Sequence, residues 1–533
     1  MIRHLNILIS YALSNSLYRT IFTIISAFLL SLNLACFNVP VMAWIGLIPL
    51  ILLNKSTKRI EKLLIESFIF FFIYNSLSFT WLFSIHPLKW LGIESLPSLL
   101  IASLAWLIPS LYHSLLILSF SFFIWIFYRL KDRKLLEELS IVEILILAFI
   151  WSLIQYKVLA SNSILSLFAV PINQLAYGQY LSADLSKLIC VTGAVGLEII
   201  IVTFNLLIAN LIHVYDFSET RSKMLYTTGN GFIETLSLNS HIKTILGLFI
   251  LFSFTGIYIN FIADSREPLK ALSFTLVQGN LNRKDTRVNL DNLTQILNLQ
   301  EKLSKTEAKR HLLIWTEASI PINVSSMNSN SPVMKLVARL QRNYDYFIFG
   351  TYSNIDGQLF NSLKLVDIKE EKLRTYNKVQ LVPFGEYTPF INLFPETIRS
   401  LAKSTIGNGF TAGKENQKLI KFHGIKAGTS ICFELLFPEI IRKQSRDGAN
   451  FLININDLSW FQNDNMKKLF LAVAVLRAIE NHKDLILVGN NGYSALIKRD
   501  GFIHDITEIN KATSLESAVG LDYTKSFYTE FGW

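Results

Sequence analysis

Cys432 closes a run of β-like residues, Gly428-Thr429-Ser430-Ile431-Cys432-Phe433-Glu434. A thiol carried to a strand end and into a turn is where an enzyme can present a nucleophile. The plainer reading of a lone cysteine is a buried, small apolar side chain, and that reading is taken for Cys36 and Cys190, in or beside long apolar runs. Two other segments change the odds for Cys432. In Trp315-Thr316-Glu317-Ala318-Ser319 a carboxylate stands just beyond the apolar run Leu312–Trp315, where it can face the same sheet edge or simply end a strand in solvent. In Tyr376-Asn377-Lys378-Val379-Gln380-Leu381-Val382-Pro383-Phe384-Gly385-Glu386-Tyr387, Lys378 and Glu386 flank an apolar Pro-Gly turn instead of joining a charged run. Charges beside a buried turn need partners.

The elements that would position these groups are legible as patterns. Ser273–Gln278, Leu312–Trp315, Tyr346–Gly350, Lys426–Cys432 and Asn450–Asn454 read as strands, as do Leu485–Gly489 and Ser494–Ile497 across the hairpin signal Asn491-Gly492. Asn289–Thr306, Pro332–Arg342 and Met466–His482 carry apolar residues at i, i+3, i+4 spacing and read as helices. Strands and helices therefore intermix after about residue 270, which predicts one α/β or α+β domain. No internal repeat or low-complexity tract is evident. Gly407-Asn408-Gly409-Phe410-Thr411-Ala412-Gly413 misses the spacing of a dinucleotide-binding loop and reads as an ordinary loop. The nine His form no HExxH pair and there are three Cys, so no metal site and no disulfide framework are expected.

The first half of the chain is different. The whole sequence is 51% hydrophobic and 17% charged, against about 25% charged in ordinary soluble domains. Seven apolar runs, at about 19–38, 41–54, 63–84, 97–128, 139–158, 188–213 and 243–262, are candidate membrane spans. Basic residues cluster in alternate connections: Lys55, Lys58, Arg59 and Lys62; Arg129, Lys131, Arg133 and Lys134; Arg221 and Lys223. The positive-inside rule puts those loops and the N-terminus, with Arg3 and Arg19, in the cytoplasm and residues after 262 outside. The formal charge of +10 is accounted for by this topology, so nucleic acid is not an expected partner. Residues 1–16 are interrupted by Asn6, Ser10 and Asn15, which argues against a cleaved signal peptide. The change in composition at Ala263-Asp264-Ser265-Arg266-Glu267-Pro268 predicts a linker.

Glu317, Lys378 and Cys432, in that order, resemble the Glu-Lys-Cys triad of the nitrilase superfamily. Val277-Gln278-Gly279-Asn280, Trp315-x-Glu317, Leu381-Val382-Pro383-Phe384-Gly385-Glu386-Tyr387 after Lys378, Cys432-x-Glu434, and Asn456-Asp457 near Trp460-Phe461 look like the apolipoprotein N-acyltransferase family. The resemblance covers nearly the whole chain and implies a multi-span α-helical membrane domain carrying an extracytoplasmic α/β nitrilase-like domain, an α-β-β-α sandwich. The corresponding boundaries are 1–262 for the membrane domain, 263–269 for the linker, 270–525 for the catalytic domain and 526–533 for a tail. By resemblance the reaction is a ping-pong acyl transfer without cofactor, in the inner (plasma) membrane of a bacterium. A phospholipid acylates Cys432, and the α-amino group of a diacylglyceryl-modified apolipoprotein cysteine takes the acyl chain. A free thiol with a pKa near 8.5 is mostly protonated at pH 7, so Glu317 is implied as its base and Lys378 as the ammonium facing the oxyanion. Glu386 and Glu434 are implied as supporting residues; hydrogen bonding of loop backbone is the equal alternative for both.

Several positions depart from the family pattern. Arg287 stands where Trp is common, Phe433 where Tyr often follows the nucleophile and Gln380 where His is frequent, while Asn456-Asp457-Leu458-Ser459-Trp460-Phe461 holds one residue more than the usual spacing. The chain ends at Phe527-Tyr528-Thr529-Glu530-Phe531-Gly532-Trp533, where the family continues into a last helix, so seven spans are expected instead of eight. Two other readings stay open: a membrane-anchored amidase of the same superfamily, against which seven spans argue, and a catalytically silent lipid-binding scaffold, against which retention of all three triad residues argues.

Overall fold

The computed structural model describes residues 13, 15–89, 92–130, 139–158, 170–182, 188–212, 247, 270–281, 290–324, 331–393, 395–396, 399–400, 409–461 and 463–532. These fall into two compact units, one within 1–82, 103–188 and 194–261 and the other within 83–102, 189–193 and 262–533. The first is helical. The helices of the N-terminal half are α1 (Ser16–Ser31), α2 (Val41–Ile45), α3 (Ile48–Ser56), α4 (Ile60–Ser78), α5 (Ser95–Leu130), α6 (Ile141–Leu153) and α7 (Ile189–Leu211), of which the first residues of α5 and α7 fall in the second unit. Three stretches, Ile60–Ile85, Ser95–Leu130 and Ile189–Leu211, are long and apolar enough to cross a membrane; Ser16–Ser31, Val41–Ser56 and Ile141–Tyr156 are apolar but shorter. The expected span at 41–54 is two helices, broken between Ile45 and Ile48, and α7 is interrupted at Gly193, whose φ is 67°. The expected span at 243–262, apart from Gly247, and the linker at 263–269 lie outside the described residues.

Arg19, expected as a flanking positive charge, is instead inside the helical unit. Its guanidinium donates to both oxygens of Glu66, at 2.7 and 2.5 Å, and to the hydroxyls of Ser56 and Thr57. A charge in an apolar bundle is tolerated when it is paired and its donors are used, and this pair ties α1 to α4.

The second unit contains the strands. Its elements are β1 (Ala271–Gln278), α8 (Leu290–Leu303), β2 (Arg310–Trp315), β3 (Ile320–Asn323), α9 (Pro332–Leu340), β4 (Tyr344–Ile355), β5 (Gln358–Asp367), β6 (Lys372–Asn377), β7 (Ile420–Phe422), β8 (Ile425–Ile431), α10 (Pro438–Arg446), β9 (Phe451–Asn456), α11 (Asp464–Asn481), β10 (Leu485–Gly489), β11 (Ala495–Ile497), β12 (Ile503–Ile506), β13 (Thr513–Gly520) and α12 (Phe527–Phe531). One sheet has the order β13-β1-β2-β4-β5-β6, with β3 added beside β4; the other runs β12-β11-β10-β9-β8-β7. Strands β1, β2 and β4 are mutually parallel, as are β8, β9 and β10.

The period of two along each strand sorts the apolar residues into layers. Phe274, Leu276, Leu312, Ile314 and Leu363 of the first sheet meet Ile431, Ile453, Ile455 and Val488 of the second in one core. Their neighbours Val277, Leu313, Trp315 and Phe347 point the other way, onto Leu293 and Leu297 of α8 and Leu336 and Leu340 of α9. Helices α10 and α11 pack on the second sheet, completing an α-β-β-α sandwich. It is the alternation along each strand that assigns each residue to a layer.

Candidate active site

Glu317, Lys378 and Cys432 each stand one or two residues past the end of a strand: β2, β6 and β8. The first two strands belong to one sheet and the third to the other. The turn after β2 is held against β4: the Gly350 N–H donates to the Thr316 carbonyl at 3.1 Å, and a Cβ at Gly350 would lie 2.4 Å from Ala318 N and 2.6 Å from Glu317 Cα. Glycine there is what lets β4 approach the Glu317 backbone. The Lys378 segment is clamped by a second chain segment. Gln417 accepts from the Asn377 N–H at 2.8 Å and donates to its carbonyl at 2.7 Å, and the Gly413 N–H donates to the Lys378 carbonyl at 2.7 Å.

The charged groups then meet inside the protein. Lys378, 1% exposed, donates from Nζ to Glu386 Oε1 at 3.0 Å and to Glu317 Oε1 at 3.3 Å. Asn361 of β5 donates from Nδ2 to the same two oxygens, at 2.8 Å to Glu317 and 2.7 Å to Glu386. The second oxygen of Glu317 accepts the Asp457 backbone N–H at 2.9 Å, and that of Glu386 accepts the Val382 N–H at 2.8 Å. Burial raises the pKa of Glu317, with Lys378 opposing. Burial also works against the Lys378 ammonium, but Glu317 and Glu386 outweigh it and hold the amine charged. A carboxylate with enhanced proton affinity beside a fixed ammonium is a base next to a cation, the pair that acyl chemistry at a thiol requires.

Cys432 is half-buried and has φ of 50°, an unfavourable left-handed conformation for a residue with a Cβ. The following residues form a 3₁₀ turn, Cys432–Leu436, so the chain reverses sharply after β8. Burial pushes the thiol pKa well up and Glu317 adds to it; Lys378 and the Asp457 N–H pull it back. The resting group is therefore a thiol, in need of a base. Glu434 fixes this turn to the Lys378 segment. Its Oε2 accepts the Ile431 N–H at 2.7 Å, and its Oε1 accepts the Val379 N–H at 2.6 Å, the Gln380 N–H at 3.2 Å and the Tyr376 hydroxyl at 2.9 Å. Arg477 of α11 donates to the Leu435 carbonyl at 3.1 Å from behind the turn.

Residues 26–207 match the apolipoprotein N-acyltransferase N-terminal domain, and residues 275–511 match carbon-nitrogen hydrolase. The chain belongs to the apolipoprotein N-acyltransferase family. Curated relatives of that name include one from Geobacter metallireducens, 26% identical over 68% of this chain and 66% of the relative, and one from Wigglesworthia glossinidia brevipalpis, 28% identical over 48% and 51%. Apolipoprotein N-acyltransferase 1 of Treponema denticola is 25% identical over 88% of this chain and 83% of its own length. The chain thus spans between about half and two thirds of the Wigglesworthia and Geobacter relatives it matches.

Within this N-acyltransferase family fold, the sequence-predicted groups converge. Glu317, Lys378 and Glu386 are in direct contact, and Cys432 is electrostatically coupled to all three. The two supporting carboxylates divide. Glu434 accepts backbone N–H groups and the Tyr376 hydroxyl, whereas Glu386 pairs with Lys378 and caps Val382. Phe433 stacks edge-on against Phe437, with ring centroids 5.1 Å apart, and Arg287 lies outside the described residues. Gln278 and Asn280 tie loops together: Gln278 Oε1 accepts from Ser494 and Thr507, and the Asn280 N–H donates to the Asn490 carbonyl. Sequence reasoning missed Asn361 and the Asp457 N–H. The signal available for Asn361 was a polar amide inside the apolar run Leu359-Phe360-Asn361-Ser362-Leu363, whereas no residue type marks a backbone donor.

Proposed function

We propose that this protein is a phospholipid:apolipoprotein N-acyltransferase, with Glu317, Lys378 and Cys432 as its catalytic residues and Glu386 and Glu434 supporting them. The observation that carries the proposal is the shared environment of a half-buried thiol, a buried carboxylate and a buried ammonium from three strand ends, within the family fold. In the first half-reaction Glu317 takes the Cys432 proton as Sγ attacks the carbonyl carbon of a phospholipid acyl ester. Lys378 faces the tetrahedral oxyanion; collapse breaks the C–O bond, the proton passes to the glycerol oxygen, and a lysophospholipid leaves a thioester on Cys432.

In the second half-reaction the α-amino group of a diacylglyceryl-modified N-terminal cysteine attacks the thioester. Its pKa of about 7.7–8.0 leaves a usable neutral fraction near pH 7. Glu317 takes a proton from nitrogen, the C–S bond breaks and the proton returns to Sγ. No redox or metal chemistry is required by this scheme. The apolar helices support a membrane protein, and the basic loops support a catalytic domain on the extracytoplasmic face of the bacterial inner membrane. Both substrates carry acyl chains, so a site mounted at the membrane meets them where they reside.

The test is transfer in detergent micelles from a phospholipid labelled in its sn-1 chain to a diacylated lipopeptide with a free N-terminal amine. Label is expected on the peptide with the parent protein and none with Cys432→Ala. Hydrolysis of small soluble amides without phospholipid dependence would instead identify an amidase, and an unacylated Cys432 under these conditions would sink the transferase reading.

A further inference from the structure

We infer that Asn361 is a positioning residue for the proposed chemistry, bridging the side chains of Glu317 and Glu386 so that Lys378 is free to serve the oxyanion. This rests on the triad reading above. The side chain sits on β5, is 4% exposed, and places Nδ2 within 2.8 Å of Glu317 Oε1 and 2.7 Å of Glu386 Oε1. An amide has two N–H groups, and each carboxylate takes one. Its Oδ1 is buried with no partner among the described residues. Turning the amide over would aim that oxygen at both carboxylates and lose both donors, so the orientation is fixed by its surroundings. An asparagine with both donors used and its acceptor unanswered is suited to donating, whereas its net contribution to stability is compromised by the unanswered oxygen.

The local charge count explains the need. Glu317 faces Lys378, Glu386, Asp457 and, across the sheets, Cys432; Glu386 faces Lys378. One ammonium is thus shared by two carboxylates, at 3.3 and 3.0 Å, before any thiolate or oxyanion forms. When Lys378 turns toward a developing oxyanion, its hold on both carboxylates weakens. Glu317, buried and beside a second carboxylate, would then bind a proton more readily unless its neutral donors remained, and the base would be lost as the reaction demanded it. Asn361 supplies neutral donors that do not compete for the oxyanion and cannot themselves be protonated in this range. The Asn361 backbone makes a separate contribution, accepting the Lys378 N–H at 2.8 Å, and side-chain replacement leaves it in place.

The test uses the full chain in detergent micelles and follows the burst of p-nitrophenolate from p-nitrophenyl butyrate, an activated acyl ester that reports acylation of Cys432 whether the natural acceptor is an amine or water. Cys432→Ala sets the zero. For Asn361→Leu the acid limb of the burst-rate profile is expected to move up by about one pH unit, with the rate roughly tenfold lower on the acid side of the limb and approaching the parent rate in alkali. Asn361→Gln, which keeps an NH₂ donor, is expected to fall between the two and covers the case in which the leucine variant does not fold. A rate that falls equally at every pH, with the limb unmoved in the variant that folds, would overturn the positioning role and leave the triad standing. No Cys432-dependent burst from the parent protein would overturn the nucleophile assignment itself, and this inference with it.

Discussion

At the residue scale the site is an electrostatic compromise in which each charge is costly alone and tolerable in company. Lys378 keeps its proton because two carboxylates adjoin it, and Glu317 binds a proton more readily because it is buried. Transfer activity is therefore expected to fall as pH drops through the raised pKa of Glu317. Glu434 allows a separate test, because its carboxyl is also buried and its pKa is pushed up to about 7, against the pull of the Ile431 and Val379 N–H groups. The folded state then holds a proton on Glu434 that the unfolded chain has lost above about pH 4.5. Stability from this group is present below the unfolded pKa and declines as pH rises toward 7. Glu434→Gln should flatten the decline by on the order of 1 kcal/mol per pH unit, measured by denaturant melts of detergent-solubilised protein between pH 4.5 and 7. A parent and variant with parallel pH dependence would contradict it.

At the element scale the strands bring their ends together, and turns set the side chains. Strand β8 delivers Cys432 into a left-handed residue followed by a 3₁₀ turn, while β4 approaches the Glu317 turn at Gly350. Gly350→Ala would force a Cβ against the backbone of Glu317 and Ala318, and backbone cannot yield as a flexible side chain does. We expect a stability loss of about 1–3 kcal/mol and a larger effect on turnover, on the order of a hundredfold, because displacing Glu317 by a fraction of an ångström disturbs its contacts with Asn361 and the Asp457 N–H. Activity assayed on folded, monodisperse protein separates the two losses. If turnover were unaffected, the close approach would be only a packing detail.

At the scale of the whole molecule, the two units have different sources of stability. The strand-containing unit buries apolar residues between and outside two sheets, whereas the helical unit presents apolar faces and holds the buried ion pair of Arg19 with Glu66. With Arg19 buried, the exposed Lys58, Arg59 and Lys62 remain as the charges of the first basic loop. Membrane-impermeant thiol labelling of single cysteines in intact cells tests the proposed orientation. Cysteines placed at Lys58 or Arg59 should resist the reagent until the membrane is permeabilised, and one at the exposed Lys421 should react at once. Labelling of the Lys58 position in intact cells would reverse the topology.

Residue types and short-range patterns determined a good deal. Chain order and motif were enough to single out Glu317, Lys378 and Cys432 as candidates, and short β-like runs located β1, β2, β9 and β10 within a residue or two. Strand β5 escaped because Asn361, Ser362 and Lys364 interrupt its apolar run, although all three are buried, and β6 because its surface residues dilute the signal. What only tertiary structure decided is which donors complete the site. Asn361 is 44 residues from Glu317 in sequence and the Asp457 N–H is 140 residues away. Hydrogen bonds of that range depend on strand order and on which sheet each strand joins, and no local preference encodes either. Proton affinity was likewise undecided by residue type, since it follows from burial and neighbouring charge, which exist only once the two sheets have closed on one another.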